Sequence, residues 1–126
     1  MGALIVDASV LIGLLDTSAA HHAAAVDAVE AADLSGNDLL TPASAYSEAL
    51  VSFARAGRAA DAREAIVAMG IAVTPLTAAI GELAAELRAA HELLRLPDAI
   101  VLATARVVGA ELLTYDERLD YRGIRQ

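Results

Sequence analysis

The order of apolar and polar positions divides the chain into short apolar runs and longer stretches of helical period. Residues 3–6, Ala-Leu-Ile-Val, are apolar without a break and end at Asp7, the pattern of a strand covered on both faces. Shorter runs at 38–41, 71–74 and 111–114 read as further strands, and Pro42 and Pro75 close the first two of them. Helical patterning fills the intervals at 9–15, 18–32, 43–56 (stopped by Gly57), 59–69 (stopped by Gly70) and 77–94. A last helix opens at Pro97 and ends at Gly109. The 77–94 segment has the clearest stripe, with Ile80, Leu83, Ala84, Leu87, His91 and Leu94 together and Glu82, Glu86 and Arg95 away from it. Residues 116–119 read as a turn or short helix, and 122–125 as a short final strand.

Strands separated by one or two helices cannot pair as hairpins. They must run parallel, which predicts an α/β fold of three layers, a small twisted parallel sheet flanked by helices. At 126 residues the chain has room for a single domain, 1–126.

Composition narrows the function. Of the 57% hydrophobic residues a large part is alanine, 31 in all, so the core is normal rather than membrane-like. The longest uncharged stretch, 65–81, is short and broken by Gly70 and Pro75, and no basic leader precedes the first apolar run. The expectation is a soluble, cytoplasmic protein with no membrane association. With no cysteine, a disulfide framework, a thiolate zinc site and a cysteine nucleophile are excluded. All nine basic residues are arginine, against 17 acids, for a net charge of −8. Such acidity does not suit a simple duplex binder, so a nucleic-acid partner would have to be met through metal ions or a local arginine cluster.

Candidate chemistry lies where strands end, because ligands of open parallel sheets sit beyond the carboxyl ends. Asp7 ends the first strand, Asp98 stands in the first turn after Pro97, and Asp116 follows Leu112-Leu113-Thr114. Glu48 falls inside the helix after the second strand. Taken singly, the aspartates could be helix caps and Glu48 a solvated helix residue. Taken together, four carboxylates at one sheet edge would repel one another without a cation. A cluster of hard oxygen donors is what Mg²⁺ or Mn²⁺ prefers, and such an ion activates water for in-line attack on a phosphodiester.

The segments carrying these acids are Val-Asp7-Ala-Ser9-Val-Leu, the lone Glu48, Leu-Pro97-Asp98-Ala-Ile-Val-Leu-Ala-Thr-Ala and Leu-Thr114-Tyr-Asp116. In type, order and spacing they resemble the PIN-domain ribonucleases across nearly the whole chain, and within them the VapC toxins of bacterial toxin–antitoxin pairs. The resemblance implies a metal-dependent endoribonuclease toxin that hydrolyses RNA to 5′-phosphate and 3′-hydroxyl ends. It implies an acidic site of Asp7, Glu48, Asp98 and Asp116 holding Mg²⁺, with Mn²⁺ as a substitute. Ser9 and Thr114 match the small hydroxyl positions that orient those acids. A cognate antitoxin that covers the site and a homodimer are the expected protein partners. RNA backbone contacts would fall to arginines, with Arg55, Arg58, Arg106 and Arg118 as candidates.

Other classes fit less well. A receiver domain or an Asp-x-Asp phosphatase needs a lysine and a second aspartate near the first strand, where Ser9 stands instead. A histidine ribonuclease needs two converging imidazoles, but His21 and His22 are adjacent and would diverge by about 100° on a helix. The remaining alternative is a catalytically silent PIN-like module that binds RNA or protein. It would be marked by a missing acid or an aromatic-rich basic face; all four acids are present, and aromatics number one Phe and three Tyr.

Overall fold

The computed structural model describes residues 2–117, in which strands and helices alternate along the chain. In order these are β1 (Ala3–Val6), α1 (Ala8–Leu15), α2 (His22–Leu34), β2 (Asp38–Pro42), α3 (Ala43–Arg55), α4 (Ala59–Ala68), β3 (Ile71–Thr74), α5 (Ala78–Ala90), α6 (Leu96–Val108) and β4 (Glu111–Leu113). The expected strand at 122–125, the second half of the 116–119 turn and Arg118 lie outside the described residues.

All strand pairings are parallel, in the order β3-β2-β1-β4. The α/β class and the flanked parallel sheet are therefore as the patterning predicts. Successive residues of a strand face opposite sides of a sheet, and both Ile5 and Val6 are 0% exposed, so helices cover both faces of β1. One core gathers Ile5, Val6, Val10, Leu11, Leu39 and Ile66 beneath α1 to α4. A second joins α5 to α6 through Ile80, Ala84, Leu87, Ala99 and Ala103. Buried alanines at these contacts, ten of the 31 in the chain, let helices approach closely.

Two helix ends differ from expectation. The segment predicted to enter a helix at Ser18 instead turns first, because Asp16 Oδ1 accepts from the Ser18 backbone N–H at 2.9 Å and its hydroxyl at 2.6 Å. These bonds hold the Asp16 carboxyl below its ordinary value, and α2 starts only at His22. At the other site, α5 ends at Ala90 rather than Leu94, with His91 extended at φ −129° and ψ 97°. A helix running to 94 would leave too little chain to reverse before Pro97, which occupies the first turn of α6. Leu94 still reaches the second core, from the turn that follows α5 rather than from its stripe.

The strand order has a functional consequence. The chain steps outward from β1 to β2 to β3, then returns across the sheet to lay β4 on the far side of β1. That reversal makes the gap between the carboxyl ends of β1 and β4 the topological switch point, the place where open α/β sheets form a crevice.

Candidate active site

The residues that follow β1 and β4 meet at this crevice. Asp7 is the N-cap of α1, accepting at Oδ1 from the Val10 N–H at 3.2 Å, and is only 5% exposed. The same oxygen accepts from the Ser9 hydroxyl at 2.6 Å, while Oδ2 accepts from the Thr114 hydroxyl. Each hydroxyl is itself held by a backbone N–H of the segment after β4: Tyr115 N–H donates to Ser9 Oγ at 2.9 Å, and Asp116 N–H to Thr114 Oγ1 at 3.0 Å. Three of the roughly four acceptor directions of the carboxylate are thus filled, which fixes its orientation and leaves capacity for one further ligand.

The backbone carrying Asp7 is pinned as well. Its N–H points to the Leu113 carbonyl of β4 at 3.4 Å. On the β2 side, the register Ile5↔Leu40 continues to set Val6 opposite Thr41, so the Val6 carbonyl should accept from the residue after Thr41. That residue is Pro42, which has no N–H. The Thr41 hydroxyl supplies the donor instead, at 2.8 Å and fully buried. Sequence patterning passes over Thr41; the signal that could have found it is a hydroxyl residue directly before a proline at a buried strand end.

Burial raises the pKa of Asp7 above its ordinary value, against the hydrogen bonds from Ser9, Thr114 and Val10; the nearby negative charge of Asp116 adds to the rise. Asp98 sits in the first turn of α6, its side chain 14% exposed, with Arg95 Nε 3.4 Å from its Oδ2. Glu48 projects from the exposed face of α3. All four acids line one open cleft of about 290 Å³, together with Ala8, Ser9, Ile12 and Val101. The helix N-termini that carry Asp7 and Asp98 bring positive partial charge to this edge.

The arginines are more scattered. Arg58 lines a neighbouring cleft with Phe53, Ser52 and Leu15, which shares Ile12 with the acidic one, and it pairs with Asp61 at 3.4 Å on the surface. Arg55 is exposed in the last turn of α3, and Arg106 lies in the last turn of α6, roughly 12 Å along the axis from Asp98.

An open parallel sheet whose switch point carries carboxylates from the end of β1, α3, α6 and the end of β4 defines the class: an α/β domain with an acidic cleft at its switch point. The PIN domain family matches residues 4–124, and the chain belongs to that family. Among solved structures, the chain is similar to VapC20 of Mycobacterium tuberculosis, a sarcin-ricin loop cleaving toxin, with a TM-score of 0.75 and 20% identity over 96% of this chain and 95% of that one. It is also similar to a chain of a toxin-antitoxin complex from Klebsiella pneumoniae, with a TM-score of 0.78 and 28% identity over 98% and 92% of the two chains. No curated protein matches the sequence.

PIN-domain nucleases generally use divalent metal ions, and the donors here suit one. The set is all oxygen, with neither thiolate nor imidazole among the cleft residues, as a hard cation requires. Among the described residues no three acids are drawn together tightly enough to hold an ion by themselves, and the cleft has room for the waters that Mg²⁺ retains. No helix of the described residues is long and apolar enough to cross a membrane.

Proposed function

We propose that this chain, as one PIN domain over 1–126, is a divalent-metal-dependent endoribonuclease and the VapC-type toxin of a toxin–antitoxin pair. The observation that carries the reading is the convergence of Asp7, Glu48, Asp98 and Asp116, from four separate elements, on one cleft at the sheet's switch point. Family membership and the likeness to the Klebsiella pneumoniae toxin-antitoxin complex support it. Asp7, Glu48 and Asp98 would hold the ion, directly or through water, and Asp116 would complete the site.

When bound, Mg²⁺ or Mn²⁺ supplies positive charge and an activated water for in-line attack on an RNA phosphodiester. The protein's own part is orientation. Ser9 and Thr114 keep both Asp7 oxygens aimed, and Thr41 holds the peptide before them. Ile12 and Val101 provide an apolar wall beside the acids. Arg55, Arg58, Arg106 and Arg118 remain proposed contacts to the RNA backbone. Single-stranded or looped RNA suits the site better than duplex, because a splayed backbone can enter a small acidic cleft.

In the bacterial cytoplasm, such a toxin would be covered by an antitoxin segment whose arginine or lysine pairs with the acids. A homodimer is proposed as well, and light scattering that shows only monomer over a wide concentration range would refute it. The deciding experiment maps the ends of RNA incubated with purified protein in Mg²⁺ or Mn²⁺, beside Asp7→Ala. Discrete cuts with 5′-phosphate ends, abolished by chelation and by the substitution, are expected. Intact RNA in every metal, or cutting that survives Asp7→Ala, would overturn the reading.

A further inference from the structure

We propose that His21 is a positioning residue for the acidic site, acting through Tyr115 to hold residues 114–116 against Asp7. The His21 and Tyr115 rings stack nearly flat, with centroids 4.5 Å apart and planes 14° from parallel. The two residues are far apart in the chain, and neither carries a group that the cleft itself uses.

The need for such a brace follows from how β4 ends. It is a three-residue strand paired, among the described residues, with β1, and that ladder stops at Val6↔Leu113. Beyond it, the N–H groups of Tyr115 and Asp116 bond to hydroxyls, Ser9 Oγ and Thr114 Oγ1, not to a neighbouring strand. Those same two hydroxyls donate to the two oxygens of Asp7. A shift of residues 114–116 would therefore loosen both supports of the carboxylate and carry Asp116 with them. Backbone bonds to side-chain hydroxyls resist such a shift less than a continuing ladder does, and the Tyr115 side chain adds an anchor of its own.

That side chain is half-buried, and the ring that stacks on it is exposed on its other side. Tyr115 packs at the margin of the larger core, and His21 lies against its ring from the start of α2. His21 is the N-cap residue of α2 but makes no side-chain capping bond, so the ring serves the stack and not the helix end. The next residue ties this end of α2 to α1, with His22 Nδ1 2.8 Å from the Gly13 carbonyl. Since Asp7 caps α1, a closed circuit runs from Asp7 through α1, His22, His21 and Tyr115 back to the hydroxyls on Asp7. An aromatic pair of this geometry contributes enough to change the population of a docked segment by roughly three- to tenfold.

The test compares His21→Ala with His21→Phe in the full chain. In metal-free protein, amide exchange at Tyr115 and Asp116 should quicken roughly three- to tenfold in His21→Ala, with amides of β1 and β2 unchanged, and return toward wild type in His21→Phe. Affinity for Mn²⁺ alone, read by electron paramagnetic resonance, should fall by a similar factor and recover in the same variant. In RNA cleavage, kcat should drop with KM held. The Mn²⁺ and cleavage readouts rest on the nuclease reading, whereas amide exchange does not. A wild-type protein that neither binds Mn²⁺ nor cuts RNA would sink that reading while exchange still decides the brace. Unchanged exchange in His21→Ala, exchange quickened throughout β1 and β2, or a rise in KM with Mn²⁺ affinity intact would each overturn the proposal.

Discussion

Thr41 offers the sharpest test of how the fold holds its acidic site. Thr41→Val replaces a fully buried hydroxyl by a methyl of similar size, so the cavity stays filled while the donor to the Val6 carbonyl disappears. Pro42 cannot take its place, and Val6 is 0% exposed, so water cannot either. A buried acceptor left without a partner costs about 1–3 kcal/mol. For 126 residues, with an unfolding entropy of about 2.1 cal/mol/K per residue, that corresponds to a fall in Tm of about 4–11 °C. Thr41→Ser keeps the donor and gives up one methyl, at about 1 kcal/mol.

Size alone does not isolate the hydrogen bond, but a double-mutant cycle does. Pro42→Ala restores an N–H at the position the ladder register assigns to the Val6 carbonyl. On its own it should cost about 0.4–1 kcal/mol through the freer unfolded chain. In that background Thr41→Val should become cheaper by about 1 kcal/mol or more, because the carbonyl has a second donor to turn to. Urea unfolding followed by far-ultraviolet circular dichroism, with equal m-values across the four proteins, gives the coupling directly. If Thr41→Val costs the same in the Pro42→Ala background as in the wild type, or stabilises the protein, then the Thr41 hydroxyl is not substituting for the missing proline N–H.

Three other outcomes are expected. Because burial holds the Asp7 pKa above its ordinary value of 3.8, Asp7 favours the folded state when protonated and that contribution is lost as pH rises through the raised pKa; metal-free Asp7→Asn should therefore melt higher than wild type at neutral pH, with the gap closing below about pH 4, and a constant gap in Tm across pH would contradict this. Mn²⁺ should raise the wild-type Tm, by about 2.7 kcal/mol of stabilisation at a hundredfold excess over Kd, and much less in Asp98→Asn; equal shifts would mean that the ion binds elsewhere. Replacing the basic residues of the cognate antitoxin's inhibitory tail with alanine should weaken inhibition, more at low salt than at high salt, and inhibition indifferent to those changes would leave only steric cover.

The cluster at Asp7 also shows why an acidic site of this kind is stabilised by its surroundings rather than by its own contacts. The carboxylate is buried where it would prefer to be neutral, and Asp116 faces the same cleft. Three hydrogen bonds and the N-terminus of α1 offset part of that cost, and a cation would offset more. Strain of this electrostatic sort is what makes metal binding and folding stability measurable in one another.

The amino-acid sequence by itself settled the elements and their parallel sense. Uninterrupted apolar runs, helical stripes and the Gly and Pro stops are local signals, and helices between strands leave no other pairing open. It also showed Asp7, Asp98 and Asp116 at element ends and Glu48 within a helix, since a residue's place relative to its own strand or helix is a local property. The neighbour that each strand takes is not local. A strand such as β1, buried on both faces, has no polar side to report its register or its partners. Only the tertiary structure decided that β4 crosses back to lie beside β1, bringing the Thr114 hydroxyl to Asp7 across 107 residues of chain. The same holds for Thr41 beneath the Val6 carbonyl and for His21 lying on Tyr115. Each depends on which surfaces dock after the elements form, and periodicity, which says only what face is buried, carries no information on what buries it.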